Sequence, residues 1–171
     1  MKNIFASALL FASIATFGQT EINPKIKPDK DKQFVTAEID KKASTYKTVA
    51  KNIWGFAELG FQEGKSSEQL INLLRSEGFN VETGVSGMPT AFVATYGSGG
   101  PVIGILAEFD ALPGLSQDSV PYRKPLAEGR PVHAFGHNLF VASSAGASIA
   151  LKECLIKYKK SGTIIVLCPP A

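Results

Sequence analysis

Apolar residues change their spacing several times along the chain, and each change marks an expected element. Ile4 to Phe17 is an almost unbroken apolar run, interrupted only by Ser7, Ser13 and Thr16, with Lys2 before it and the small residues Ala15 and Gly18 near its end. That is the layout of a secretory signal peptide over residues 1–19. A membrane anchor is the alternative, but the run falls short of the roughly 20 apolar residues a spanning helix needs. Residues 20–33, rich in proline and charge, read as a linker. From Phe34 to Glu58, Ile39, Ala43, Tyr46, Val49, Ile53 and Ala57 recur at three- and four-residue steps, which predicts one amphipathic helix. A second helix is expected from about Ser66 to Glu77. Ser66 with Gln69 suits a capping box, Leu70, Leu73 and Leu74 form the buried face, and Gly78 is the stop.

The period then shortens. Ala91 to Tyr96 is β-rich, Gly97 to Gly100 is a turn, and Val102 to Phe109 is apolar almost throughout, as suits a strand covered on both faces. A long irregular stretch follows from Asp110 to His137; loops of this length in a compact domain usually serve function. Asn138 is placed to cap a helix reaching about Tyr158, and Thr163 to Leu167 is a further buried strand. Strand, loop, helix, strand is a βαβ-type order, so the class is α/β with a mostly parallel sheet. Sites in such sheets form beyond the carboxyl ends of the strands. That rule selects Glu108 to Gly114, the loop carrying His133 to Asn138, and the segment after Leu167.

Composition narrows the function. The chain has 171 residues, 44% of them hydrophobic, and a formal net charge of +3 with scattered lysines. This gives no basis for a nucleic-acid surface, and after leader cleavage none for a membrane. Cys154 and Cys168 lack zinc-type spacing; they read as small buried residues, although an exported compartment, secreted or periplasmic, permits a disulfide.

Two carboxylates, Glu108 and Asp110, lie two apart at the end of an expected strand. The chain's two histidines, His133 and His137, stand four apart at a helix start. Such a gathering suits a metal site or acid–base work. The plainer alternative makes Asp110 a turn cap and both histidines exposed polar residues. Three other candidates fail. Gly60 to Ser66 has three residues, not four, before Gly-Lys, so it is not a phosphate loop. Ser143 and Ser144 lack a nucleophile elbow and suit close helix packing beside Ala145, Gly146 and Ala147. Trp54 and Phe56 are expected in the core.

Three stretches together carry a resemblance: W-G-F-A-E-L-G-F-Q-E (54–63), A-E-F-D-A-L-P-G-L-S-Q (107–117) and H-A-F-G-H-N-L-F (133–140). In this order they resemble the dinuclear-metal amidohydrolase and peptidase family of aminoacylases, hippurate hydrolases and auxin-conjugate hydrolases, nearest to the branch that includes p-aminobenzoyl-glutamate hydrolase. The resemblance covers about residues 34–171. It implies a metallopeptidase-like catalytic α/β domain and a smaller inserted domain used for dimerisation, hence a homo-oligomer. It also implies hydrolysis of amide bonds in N-acylated amino acids or small peptides, with two divalent ions, zinc or manganese, activating water. By the same resemblance His137 is a metal ligand, Asp110 supports a ligand from behind, Glu108 stands beside it without a fixed role, and His133 is assigned none.

This sequence also departs from the family pattern. Phe135 stands where the family has a metal-binding cysteine, and a phenyl ring offers no lone pair to a cation. The glycine-rich start of the next helix is changed to Val141 and Ser143. The general-base glutamate and a metal-binding glutamate would follow Ala171, with the later histidine ligands and the inserted domain further on. The expectation is therefore a truncated catalytic domain, inactive alone: a pseudogene product or a fragment of a longer hydrolase. A non-catalytic secreted binding protein that reuses the half-domain is the alternative from another class.

Overall fold

The computed structural model describes residues 29–170, so the expected leader and most of the linker lie outside the described residues. The linker reading ends too late. Helix α1 runs Lys30–Lys41, four residues ahead of the expected start, because Asp29 caps it: its Oδ1 accepts from the backbone N–H of Asp31 (2.7 Å) and Lys32 (3.1 Å). The expected single helix to Glu58 is also split. Lys42 leaves helical geometry (φ −110°, ψ 14°), and α2 (Ala43–Phe56) begins after it. The Lys42 side chain reaches the Glu77 carboxylate, a tie across 35 residues that no local periodicity signals.

Helix α3 spans Gly64–Ser76 and buries Leu70 and Leu74. The expected capping box is absent: Ser66 lies inside the helix, and the Glu58 carboxylate, reaching back from the end of α2, accepts the N–H of Lys65 and of Ser66 and the Ser66 hydroxyl. The positive end of this helix is therefore already satisfied by a carboxylate of the same chain, which agrees with rejecting a phosphate loop here. Gly78 does end the helix, at φ +86°, where the N–H of Gly78 reaches the carbonyl of Arg75 and the N–H of Phe79 that of Leu74.

The sheet has four strands in the order β1 (Asn80–Thr83), β2 (Phe92–Ser98), β4 (Gly162–Cys168), β3 (Val102–Leu106). Strand β1 is not among the expected elements; N-V-E-T is short and mostly polar. The α/β class holds, but the sheet is mixed: only β3 and β4 run parallel, while β1–β2 and β2–β4 are antiparallel. The reason is in the connections. A short turn at Gly99–Pro101 carries the chain from β2 to β3, too short for a crossover helix, and β4 returns between the two strands after α4 (His137–Tyr158). Gly97 permits that insertion, since a Cβ at this position would stand 2.2 Å from the Gly162 carbonyl oxygen.

All the helices that meet the core lie on one face of the sheet. Val49, Ala50 and Ile53 of α2, Leu70 and Leu74 of α3, and Val141, Ala145 and Ile149 of α4 pack on Phe92, Ala94, Ile164, Val166 and Cys168 in one cluster. Strand β3 is not covered on both faces as expected: it is the sheet's edge among the described residues, with Val102 62% and Leu106 47% exposed. Trp54 and Phe56 also lie outside the core, on the exposed side of α2. Helix α4 is long and apolar enough to cross a membrane, yet it is the central core helix. In it Ser144 and Gly146 pack closely as expected; the Ser144 hydroxyl donates to the Leu106 carbonyl (2.8 Å), and Gly146 faces the Tyr46 ring. Ser143 and Ala147 point outward. Both cysteines are free, and burial pushes the Cys168 thiol well above its ordinary range.

Candidate active site at the end of β3

The three sequence stretches meet at one end of the sheet. Beyond β3, the N–H of Ala111 donates to the Glu58 carbonyl (2.8 Å), which ties the second stretch to the first. The third is pinned to α2: His133 Nε2 lies 3.1 Å from the Ile53 carbonyl oxygen, and Asn138 Nδ2 donates to the Ala50 carbonyl (3.1 Å). Asn138 is thus a buried tie rather than the expected cap; Gly136, in left-handed geometry (φ 93°), precedes the first residue of α4 instead. A backbone bridge between Leu112 and Val132 closes the stem of the loop that separates Asp110 from His133. This loop has internal order, with the Gln117 side chain donating to the Tyr122 carbonyl and accepting from the N–H of Lys124.

Within this frame Glu108, Asp110 and His137 come together. His137 Nδ1 donates to Asp110 Oδ1 at 2.5 Å, and its Nε2 faces Glu108 Oε2 at 3.3 Å. A carboxylate holding one ring nitrogen fixes which way the other points. Two aromatic rings enclose the imidazole: Phe135, edge-on at 4.1 Å between centroids, and Phe140 at 6.2 Å. Phe135 itself is 56% exposed. His133 is brought near but not into the cluster. It is buried, which pushes its pKa below the ordinary 6.5 against the opposing pull of the Ile53 carbonyl. With Nε2–H donating to Ile53, Nδ1 has no hydrogen-bond partner among the described residues. Neither histidine is the exposed polar residue of the plainer alternative.

Sequence reasoning misses the polar residues that hold this frame. Glu58 caps α3 from outside that helix. Glu63 is fully buried, with Oε2 accepting from the Thr90 hydroxyl at 2.7 Å and Oε1 without a partner among the described residues. Glu63 stands among Gln62, Gly64 and Lys65, so nothing local marks it for burial, and its partner lies 27 residues away.

A divalent ion at this site needs donors that converge. His137 Nε2 and Glu108 Oε2 are two. Phe135 adds none, and among the described residues no group of three or more His, Cys, Asp or Glu side chains is arranged to hold a metal ion. A catalytic zinc site takes three protein ligands, so the residues present do not fit the ion that the resemblance implies.

No family model matches the chain. It is 38% identical over 133 residues to one of the subunits of p-aminobenzoyl-glutamate hydrolase from Escherichia coli (strain K12), covering 77% of this chain and 28% of that protein. It is 31% identical over 116 residues to N-acetylcysteine deacetylase of Bacillus subtilis (strain 168), covering 67% of this chain and 29% of that protein. Among solved structures it matches the Bacillus subtilis YXEP protein, described as a dinuclear metal binding peptidase from the M20 family, with a TM-score of 0.59 and 27% identity over 82% of this chain and 36% of that one. The chain thus spans about a third of the length of the proteins it matches. With sequence similarity and fold in agreement over that span, the chain belongs to the M20 family of amidohydrolases and peptidases.

Proposed function

We propose that this chain forms part of an exported hydrolase that cleaves the amide bond of N-acylated amino acids or small peptides, and that the 171 residues alone do not turn over substrate. One observation carries the reading: at the end of β3, Asp110 fixes the His137 ring so that Nε2 lies beside the Glu108 carboxylate. The chain that builds this site is 38% identical to a hydrolase of p-aminobenzoyl-glutamate. In the reading, Asp110 holds the ring, and the Nε2–Glu108 pair binds or moves a proton at the face where an amide would lie. The uncovered apolar side of β3 supports a role within a larger domain. The apolar run from Ile4 to Phe17 supports export to the periplasm or the medium. Zinc or manganese is the family's expected ion, and because the donors do not fit it, no catalytic step runs through it.

The test has two arms. The native gene product, purified from its source, is assayed against p-aminobenzoyl-glutamate and a panel of N-acetyl amino acids. Amide cleavage that disappears in His137→Ala supports the reading, and the absence of any cleavage by folded protein overturns it. The 171-residue chain assayed alone is expected to show no turnover; turnover by it would refute that half of the proposal. Phe135 favours a second reading, a non-catalytic exported binding protein on the same frame. For that reading folded native product would bind N-acyl amino acids without cleaving them.

A further inference from the structure

Beside His137, the family expectation of a metal and the residues present disagree at Phe135. Two ligands of a tetrahedral ion, each about 2.0–2.1 Å from it, stand roughly 3.3 Å apart. His137 Nε2 and Glu108 Oε2 are separated by 3.3 Å. Asp110 holds the ring in that direction through Nδ1, at 2.5 Å. Two donors are therefore set at the spacing of a shared ion, and Phe135, whose ring centroid lies edge-on 4.1 Å from that of the imidazole, adds no donor atom to them. His133, the other imidazole nearby, has its Nε2 committed to the Ile53 carbonyl.

We propose that Phe135 is the residue that keeps this site from taking up a divalent ion, and that a donor atom at position 135 is sufficient to restore uptake. Two donors leave the ion mostly hydrated and weakly held, whereas a third at this position would bring the set to the number used by catalytic zinc sites. The inference is independent of the proposed activity, because its test reads metal binding rather than turnover; either can fail without the other.

The experiment is calorimetric titration of the full 171-residue chain with zinc, paired with cobalt absorption spectra. It uses the wild type, His137→Ala, Phe135→Cys, Phe135→Leu and the double variant Phe135→Cys/His137→Ala. Cys154 and Cys168 are present in every form, so their background cancels. The wild type and Phe135→Leu are expected to bind weakly and alike. Phe135→Cys should gain at least roughly 10–100-fold in zinc affinity, a floor set by what even an indirect ligand contact contributes, and a cobalt–thiolate band. The double variant should lose both. The proposal is overturned by tight zinc binding by the wild type that His137→Ala removes, or by a Phe135→Cys protein with unchanged far-ultraviolet circular dichroism and no gain in affinity. Phe135→Leu, apolar like the native residue, separates loss of the ring from gain of a donor; tight binding by it would also overturn the proposal.

Discussion

The two faces of the sheet are built from the same strands and face different surroundings. On one face Ile164, Val166 and Cys168 of β4 and Phe92 and Ala94 of β2 lie under α2, α3 and α4, and all five are buried. On the other, strand register aligns Asn80 and Glu82 of β1, Val93 and Thr95 of β2, Thr163, Ile165 and Leu167 of β4, and Val102, Gly104 and Leu106 of β3. That face grades from polar at β1 to apolar at β4 and β3, where the paired Leu167 and Leu106 stand about half exposed. A strand written for burial on one face alternates; β3 and β4 do not. Apolar character therefore marks which strands can be covered, while the actual cover depends on what packs against them.

The largest expected effect is on the covered face. Phe92 is buried against Phe109, their ring centroids 6.1 Å apart. Phe92→Ala should lower unfolding free energy by about 4 kcal/mol, measured by urea denaturation. A loss below about 1 kcal/mol would mean that this face is loosely packed and that the contrast is false.

An intermediate effect is expected behind the same helices, where Glu77 takes Lys42 and buried Lys152. Burial acts to raise the Glu77 carboxyl, but the two lysine hydrogen bonds outweigh it and hold the group below its ordinary 4.5. A carboxylate with a depressed folded pKa stabilises above its unfolded value and loses that contribution as pH falls through the folded one. Glu77→Gln should therefore cost about 2 kcal/mol at about pH 7 by taking the counter-charge from Lys42 and leaving Lys152 with Glu153 alone. The gap between variant and wild type should shrink steadily below pH 4.5. A gap independent of pH would assign the loss to packing rather than charge.

The smallest effect belongs to the open face. Leu106→Lys should change unfolding free energy by less than about 0.5 kcal/mol while reducing self-association in sedimentation velocity, because a charge on an uncovered edge strand opposes strand pairing between copies. If instead it destabilises like Phe92→Ala, something within the chain covers this face in solution.

Much of the site is legible in advance because its chemistry rests on residue types at short spacing. Glu108, Asp110 and His137 stand out by their place after a strand and before a helix, and the structure brings those three together. The same local logic fails where the partner is remote. Their neighbours in sequence suggest capping roles for Ser66 and Asn138, yet Glu58 caps α3 and Asn138 ties α4 to α2. Size alone puts Trp54 in the core, but the stripe of α2 that meets the sheet is Val49, Ala50 and Ile53.

Periodicity and residue identity suffice for the α/β class, the positions of α3 and α4 to within a few residues, the three motifs and the lack of a donor at position 135. Each of these can be read without knowing what any residue touches. Three-dimensional packing was needed to place β4 between β2 and β3, to leave one sheet face open, and to have Asp110 turn His137 Nε2 toward Glu108 at the spacing of a shared ion. Those outcomes depend on contacts between residues tens of positions apart, and such contacts have no signature in any local pattern.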